Sequence, residues 1–310
     1  MSAELPPPGI LLLDKPLGLS SNAALQRVRR LAGGIKAGHA GSLDPLASGM
    51  LAICLGEATR LAGELLGGRK AYQFVLQLGE RTATGDAEGE VVERAAVPAL
   101  TPAAVQSVLE RFIGDGQQVP PMYAALKRAG EPLYRLARRG ETVEREARPI
   151  RIDALELLQL DAGRLELEVL CSKGTYVRVL GEDLARALGS CGHLQALRRR
   201  YLEPFACDPM ITLEELQARA CEEWPVLPPE RAVAQLPILQ IDSPTLRALA
   251  HGRALTLGAQ RSGATAGAGS AEIPALYRLH DAAGRFCGLG ALDVRGLLSA
   301  RWLLRAFRIA

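Results

Sequence analysis

The segment from Gly38 to Gly49 contains a single carboxylate, Asp44, followed directly by Pro45. An aspartate before a proline usually shapes a turn through hydrogen bonds to nearby backbone groups. The glycines of this segment let a ligand approach the backbone closely, and a loop held between regular elements suits a catalytic group. We therefore interpret Asp44 as a candidate catalytic carboxylate, with a turn-forming aspartate as the alternative.

Metal and cofactor chemistry is not indicated by the sequence. The six cysteines include no Cys-x-x-Cys pair, and Cys191 and His193 have no second pair of ligands nearby in the sequence. The four histidines form no HExxH motif, and no dinucleotide or phosphate-loop motif is present. We expect activity without a metal or an organic cofactor.

Basic residues cluster between residues 117 and 149, a stretch interrupted by glycine and proline that we interpret as an insertion standing off the core. The net charge of +3 does not by itself indicate a nucleic-acid partner, so such a signal must be local. A solvated charged face is the commoner explanation of such a run. The basic residues are Lys127, Arg128, Arg135, Arg138, Arg139, Arg145 and Arg148.

No membrane or export signal is visible in the sequence. The first residues have no basic run followed by an apolar stretch, and no apolar segment approaches the roughly 20 residues that span a bilayer. We expect a cytoplasmic protein.

The elements that must position Asp44 follow from apolar periodicity. We predict a helix from Ser20 or Ser21 to about Ala32, and then a loop from Lys36 to Gly49. The alternation of residues 70–79 predicts a half-buried strand with Tyr72 on its inner face. Further predictions are a strand over 51–55, helices over 57–66, from 102 and over 177–188, a hairpin over 151–171, and a strand that ends at 198–200.

The C-terminal part predicts a separate, smaller unit. A proline-dense stretch from Pro225 to Pro237 is the best linker candidate. Beyond it we predict a short helix ended by Gly252, strands at 275–279, 286–292 and 299–304, and a flexible loop at 263–271. The whole chain predicts an α+β fold on a mixed, largely antiparallel sheet flanked by helices, plus a small β-rich C-terminal domain.

Several motifs occur in an order that matches a known family. They are Leu13-Asp14-Lys15-Pro16, the segment around Asp44, Lys70-x-Tyr72, Pro120-Pro121-Met122-Tyr123, Arg145-Glu146-Ala147-Arg148-Pro149, Gly174-Thr175-Tyr176-Val177-Arg178 and His193-Leu194-x-x-Leu197-Arg198-Arg199. Together they resemble the TruB family of bacterial tRNA pseudouridine synthases. The resemblance covers about residues 9 to 205 and continues more weakly to the C-terminus.

The resemblance implies the pseudouridine synthase fold in a catalytic domain over residues 1–236, with an RNA-gripping insertion at about 117–149. It also implies a PUA-like RNA-binding domain over 237–310. The implied reaction isomerises a uridine of the T loop of tRNA (position 55), after its base has been extruded. The implied partner is the T stem-loop of tRNA, with no obligatory protein partner, and we expect a monomer.

The resemblance also implies roles for individual residues. Asp44 is the essential carboxylate, Arg178 its cationic partner, and Tyr176 a second active-site tyrosine. The implied substrate-binding residues are Tyr72, Leu197, Lys15, His39, Lys127, Arg135, Arg138 and Arg139. We expect the run from Arg198 to Arg200 to extend the RNA-binding surface.

Three questions stay open at the level of sequence. Asp44 can add to the sugar, add to the base or remove a ribose proton. A guide-RNA-dependent pseudouridine synthase shares the same core motifs, although its usual long basic extensions are missing here. A non-catalytic tRNA-binding or tRNA-folding protein is the alternative from another class, and the complete set of Asp44, Tyr72, Tyr176 and Arg178 argues against it.

Overall fold

The computed structural model describes residues 5–128, 130–205, 208–257 and 274–307. The strands are β1 Gly9–Lys15, β2 Ala37–Ala40, β3 Ala47–Leu55, β4 Lys70–Leu78, β5 Glu80–Thr82, β6 Val91–Arg94, β7 Gly114–Gln118, β8 Lys127–Arg128, β9 Glu131–Pro132, β10 Arg148–Asp161, β11 Arg164–Cys171, β12 Gly192–Leu202, β13 Ile238–Gln240, β14 Leu255–Thr256, β15 Ala275–His280, β16 Phe286–Leu292 and β17 Leu297–Leu303. The α-helices are α1 Ser21–Leu31, α2 Ala62–Leu66, α3 Pro102–Glu110, α4 Leu133–Arg138, α5 Val177–Ala187, α6 Leu213–Ala218 and α7 Ser243–Ala250. None of these helices is long and apolar enough to cross a membrane.

One large sheet runs through the first two thirds of the chain. Its strand order is β1-β3-β12-β4-β11-β10-β7, with β2 added to β3. The pairing of β3 with β12 is parallel, whereas the other pairs described in this sheet are antiparallel. The mixed, largely antiparallel sheet predicted from the sequence is therefore confirmed.

The apolar alternation of β4 explains its central position. Tyr72, Phe74, Leu76 and Leu78 are all buried, and the strand pairs with β11 on one side and β12 on the other. A strand that buries one face and satisfies both edges is held firmly in register. This register fixes Tyr72 opposite Arg199 and Phe74 opposite Leu197.

Helices α1, α3 and α5 begin where the sequence predicts. The Ser20 hydroxyl accepts a hydrogen bond from the Ala23 amide at the start of α1, and Thr101 caps α3 in the same way. Helix α1 buries Ala24, Leu25 and Val28 in the main apolar core, together with residues of β4 and α5. The helix predicted from Ser20 or Ser21 to about Ala32 is confirmed.

Two elements differ from the sequence prediction. The predicted loop over 36–49 contains β2 and the start of β3. Tertiary pairing explains this difference. Strand β12 pairs with β3 only along residues 47–49, so the rest of that edge of β3 is free to pair. Strand β2 pairs with it at residues 52–55. The predicted helix over 57–66 is a 3-10 segment, Gly56–Leu61, that continues into the short α2.

A second sheet occupies the C-terminal part, with the order β13-β15-β16-β17-β14. The strands predicted at 275–279, 286–292 and 299–304 and the helix before Gly252 are confirmed. Leu289 and Trp302 from this sheet pack in one apolar cluster with Ile10 and Leu12 of β1. The loop predicted at 263–271 lies outside the described residues, and the domain boundary at 236/237 stays a prediction.

Candidate active site

The loop that carries Asp44 begins where β2 ends and is fastened to α1. The buried Ser21 hydroxyl donates to the Leu43 carbonyl (3.0 Å) and accepts from the Leu43 amide (2.7 Å). The Ala47 amide donates to the Asp44 carbonyl (3.0 Å), and the Gly18 amide donates to the Pro45 carbonyl (2.8 Å). Backbone on both sides of Asp44 is thus fixed, so its side chain has a defined direction.

Arg178 forms an ion pair with Asp44 at the start of α5. Its Nε lies 2.9 Å from Asp44 Oδ2 and 3.7 Å from Asp86 Oδ2. The two remaining nitrogens donate to the Thr84 carbonyl (2.9 Å) and the Tyr123 carbonyl (2.7 Å). Since these partners come from three separate segments of the chain, the guanidinium, only 5% exposed, has one orientation.

The two carboxylates differ in their surroundings. Asp86 is buried, and its Oδ1 accepts from the Thr84 hydroxyl (2.5 Å) and the Glu88 amide (3.1 Å). The side chain of Asp44 is 41% exposed and reaches a cavity. Desolvation raises the pKa of Asp44 above its ordinary value, and the Arg178 charge acts in the opposite direction. The arrangement leaves Asp44 as the carboxylate that a ligand can reach.

A cavity of about 470 Å³ adjoins Asp44 and has two of the predicted binding residues, Tyr72 and Leu197, in its wall. Tyr72 and Leu197, both nearly buried, form part of this wall from the large sheet. Tyr176, which precedes α5, also lines it, and its backbone exchanges two hydrogen bonds with the buried Gln118 side chain. The structure therefore brings Asp44, Arg178, Tyr176, Tyr72 and Leu197 together around one space.

A second cavity, of about 500 Å³, also adjoins Asp44. His39 lines it, and burial lowers the pKa of this histidine, so its neutral form is favoured. Glu88 and Arg138 also lie in its wall. Asp44 and Arg178 belong to both walls, so the ion pair borders two adjoining spaces that are each large enough for part of a nucleotide.

Lys15 lies beneath the site with no exposed surface. Its Nζ donates to the Pro16 carbonyl (2.9 Å) and the Leu19 carbonyl (2.5 Å). Burial lowers its pKa to about 8, while the Asp44 charge acts in the opposite direction. Lys15 is therefore placed to support the turn before α1, not to contact a ligand directly.

The basic residues of the insertion divide into different groups. Arg138 lines the second cavity, with its guanidinium 5.7 Å from the centre of the Tyr134 ring. Lys127 lines another cavity, of about 370 Å³, formed mainly by charged residues of the insertion. Arg139 is ion-paired with Glu131 and Glu141, both at 2.6 Å, and Arg135 is exposed on α4. The structure brings only Arg138 of this set to the Asp44 site.

The prediction that residues 198–200 extend an RNA-binding surface is wrong for one of the three arginines, Arg199. Arg198 forms a two-pronged ion pair with Asp14, and Arg199 is 1% exposed. Alternation along β12 is the physical reason, because successive side chains point to opposite faces of the sheet. Only Arg200 is exposed.

Sequence analysis also missed Asp86 as a partner of Arg178. The available signal was the segment Thr84-Gly85-Asp86 before Gly89, where a Cβ at Gly89 would lie 2.4 Å from the Thr84 hydroxyl oxygen. A turn this tight, with an aspartate inside it, indicates a structured loop. Within the described part of the chain, no group of three or more metal-binding side chains is found.

Comparison with solved structures shows which fold the chain has. A Cbf5 chain from a solved structure titled "Crystal Structure of a Cbf5-Nop10-Gar1 Complex" superimposes with a TM-score of 0.72 at 23% identity, over 97% of this chain and 91% of that chain. A second, titled "Crystal structure of the archaeal box H/ACA sRNP Nop10-Cbf5 complex", gives a TM-score of 0.70 at 21% identity, covering 100% and 96%. The chain therefore has the fold of these Cbf5 chains.

Sequence comparison then gives the family. The model described as "TruB family pseudouridylate synthase (N terminal domain)" matches residues 29–177, and "tRNA pseudouridylate synthase B C-terminal domain" matches 178–233. The tRNA pseudouridine synthase B of Stutzerimonas stutzeri is 45% identical over 305 residues, 96% of each chain. That of Chromohalobacter salexigens is also 45% identical, over 97% of this chain and 96% of its own. The chain belongs to the TruB family of pseudouridylate synthases and is an isomerase.

Proposed function

We propose that this protein converts the uridine at position 55 in the T loop of tRNA into pseudouridine, without a guide RNA. The support is the name tRNA pseudouridine synthase B, carried by relatives that are 45% identical over 96% of the chain. The likeness to Cbf5 chains, at 23% identity, supports the fold alone. A self-sufficient tRNA-modifying enzyme is therefore favoured over the core of a guide-RNA-dependent one.

The observation that carries the proposal is the ion pair of Asp44 with Arg178, which borders two adjoining cavities. The reaction breaks the N1–C1′ bond, turns the base and joins C5 to C1′. Addition to the sugar, addition to the base and removal of a ribose proton all need Asp44 as an ionised carboxylate. Arg178 supplies the positive charge that opposes the effect of desolvation on the Asp44 pKa.

The cavity walls fit an extruded nucleotide. Tyr72 offers an aromatic face for the base, with Leu197 as its apolar neighbour, and Tyr176 is assigned to handling the C5 proton. His39 and Arg138 receive the displaced neighbouring nucleotides in the second cavity. Lys127, Arg135 and Arg139 stand farther out on the insertion, where the RNA backbone is the expected partner.

The first test uses the purified protein and an unmodified tRNA transcript, with no other RNA or protein. We expect one pseudouridine, mapped to the T loop, and an equal yield on an isolated T stem-loop. If pseudouridine forms only after a guide RNA is added, the protein belongs to the guide-RNA-dependent class.

The second test replaces Asp44 by Asn, which keeps the shape and removes the charge. We expect single-turnover pseudouridine formation to become undetectable, a loss of about 10⁴-fold or more, as for other residues of a catalytic group. The Asn variant should keep its RNA affinity. It loses the contacts of the Asp44 carboxylate, but it also loses the repulsion between that carboxylate and the RNA phosphates.

The matched control for that variant is Asp161→Asn, at the exposed end of β10, which should keep full activity. The melting temperature of both variants shows that they are folded. Substantial turnover by a folded Asp44→Asn protein would leave Asp44 as a turn former and revive the non-catalytic tRNA-binding function.

A further inference from the structure

The cavity of about 470 Å³ that adjoins Asp44 has an excess of positive charge in its wall. The charged residues in its wall are one carboxylate, Asp44, and three cations, Lys70, Arg178 and Arg199. Arg178 is compensated by its ion pairs with Asp44 and Asp86. Lys70 is 7% exposed and Arg199 1%, and neither forms an ion pair within the described residues. Since an unpaired buried charge is costly, this pair of cations needs an explanation.

Backbone carbonyls hold both cations in place without neutralising them. Lys70 Nζ donates to the carbonyls of Leu66 (3.0 Å) and Gly68. Arg199 donates from Nε to the Met50 carbonyl (2.6 Å) and from Nη2 to the Gly41 carbonyl (3.1 Å). A carboxylate near Lys70, Glu203, is already paired with Arg69 at 3.1 Å. The side chains of Lys70 and Arg199 are therefore fixed in position, and their positive charges are not neutralised.

Strand register places both cations beside the expected base. Arg199 lies directly opposite Tyr72, and Lys70 lies two residues before Tyr72 on the same strand face. Burial lowers the pKa of Lys70 to about 8, and the Arg199 charge acts in the same direction. The folded protein therefore concentrates positive potential on one side of the cavity.

We propose that Lys70 and Arg199 provide a preorganised positive potential that stabilises the negative charge which the uracil base acquires during isomerisation. This inference rests on the proposed function. Preorganised charge of this kind lowers a barrier because it is not reoriented during the reaction.

The electron balance is the same for every role of Asp44. If Asp44 adds to C1′ or removes the C2′ proton, the N1–C1′ electron pair stays on the base, which becomes a uracil anion. If Asp44 adds to C6, the electrons of the C5–C6 double bond move toward O4 and give an enolate. When C5 joins C1′, Asp44 is released from C1′ or C6, or returns its proton to C2′. C5 then loses its proton and N1 gains one, so no redox change occurs. Negative charge on the base is common to all three routes.

The experiment compares neutral and charged replacements under single-turnover conditions, with enzyme saturating over a T stem-loop RNA. Lys70→Gln and Arg199→Gln remove the charge and retain an amide donor for the backbone carbonyls. Lys70→Arg and Arg199→Lys keep the charge. Lys173→Gln is the control, because it removes an exposed positive charge that also acts on Lys70. Melting temperature and RNA affinity are measured for each variant.

We expect each Gln variant to slow isomerisation by about 10²-fold, with unchanged RNA affinity, and each charge-retaining variant to be slowed much less. A second substrate carries 5-fluorouridine at the target, whose fluorine stabilises an anionic base by itself. Cleavage of its N1–C1′ bond, measured by mass spectrometry of digested RNA, should be slowed less by the Gln variants than cleavage of uridine.

Gln variants that react as fast as wild type would overturn the inference. Equal slowing of uridine and 5-fluorouridine would also overturn it, as would weaker RNA binding with an unchanged saturated rate, which indicates a phosphate contact. Lys70→Gln carries the test alone if Arg199→Gln does not fold. Failure of the proposed function is distinct, because the wild-type protein itself would then make no pseudouridine in this RNA.

Discussion

At the scale of the residue, two effects of the environment act in opposite directions on the pKa of the Asp44 carboxylate. Desolvation raises its pKa, and Arg178 at 2.9 Å opposes that effect. Because folding raises this pKa, the group favours the folded state most strongly below its unfolded pKa, and that contribution is lost as pH rises through the folded pKa. At neutral pH the ionised Asp44 therefore costs stability, which is consistent with a residue kept for reactivity.

The pH dependence of the reaction follows from the same shift. We expect the single-turnover rate to fall on acidification, with a midpoint above the ordinary aspartate value of about 3.9. Arg178→Lys, which cannot keep all four contacts, should move this midpoint to higher pH. Rate profiles of both proteins, with melting temperature followed at each pH, check this. Coincident midpoints would contradict the role given to Arg178.

Sequence patterns identified the residues of this site better than their partners. Asp44, Tyr72, Tyr176, Arg178 and Leu197 were named from motifs, and they do meet around one cavity. Asp86 lies in a segment that indicates a structured loop, but its contact with Arg178 depends on how that distant loop folds back. The burial of Arg199 likewise depends on which face of β12 meets the Asp44 loop.

At the scale of the element, two adjacent serines of α1 have different tasks. Ser20 caps the helix, whereas Ser21 exchanges two hydrogen bonds with Leu43 beside Asp44. Ser20→Ala should cost about 1 kcal/mol of stability, as for other caps, and leave the rate unchanged. Ser21→Ala should cost about 1–3 kcal/mol and also slow the saturated rate, because it frees the loop. Equal rates for the two variants would show that the loop is held by other contacts.

Helix α4 offers a second matched pair. Arg138 faces the second cavity, whereas Arg139 is ion-paired with Glu131 and Glu141. We expect Arg138→Ala to weaken RNA binding and to reduce the slope of its salt dependence by about 0.7–0.9 for each phosphate that is no longer neutralised. Arg139→Ala should have a smaller effect on both, because ion pairs with Glu131 and Glu141 already compensate part of its charge. Titrations at several salt concentrations measure both, and identical slopes for the two variants would refute the distinction.

The apolar periodicity of the sequence predicts some of the helices and strands but not all of them. Strand β4 and helices α1 and α5 were predicted nearly to their ends, and α3 at its start, because each has a strong apolar pattern. Strand β2, Ala37–Ala40, has only small and polar residues, so no local pattern marked it. It forms because the edge of β3 beyond residue 49 is available for pairing.

At the scale of the whole molecule, the C-terminal sheet is part of the core that supports the catalytic sheet. Trp302, 6% exposed, packs in a cluster with Ile10 and Leu12 of β1. Trp302→Ala should destabilise the protein by about 3–5 kcal/mol and lower one shared unfolding transition. Leu297→Ala, at 39% exposure on the same strand, is the control with a small effect. Two separate transitions in the wild-type protein would contradict this coupling.

The parallel pairing of β3 with β12 has a consequence for synthesis on the ribosome. It joins strand positions such as Ser48 and Arg198 that are 150 residues apart. At roughly 5–20 residues per second, the ribosome needs on the order of ten seconds or more to make the second strand after the first. Until then, the segment bearing Asp44 has neither Arg178 nor the wall formed by Leu197. A nascent chain therefore has no working centre, and modification of RNA begins only after most of the polypeptide has emerged.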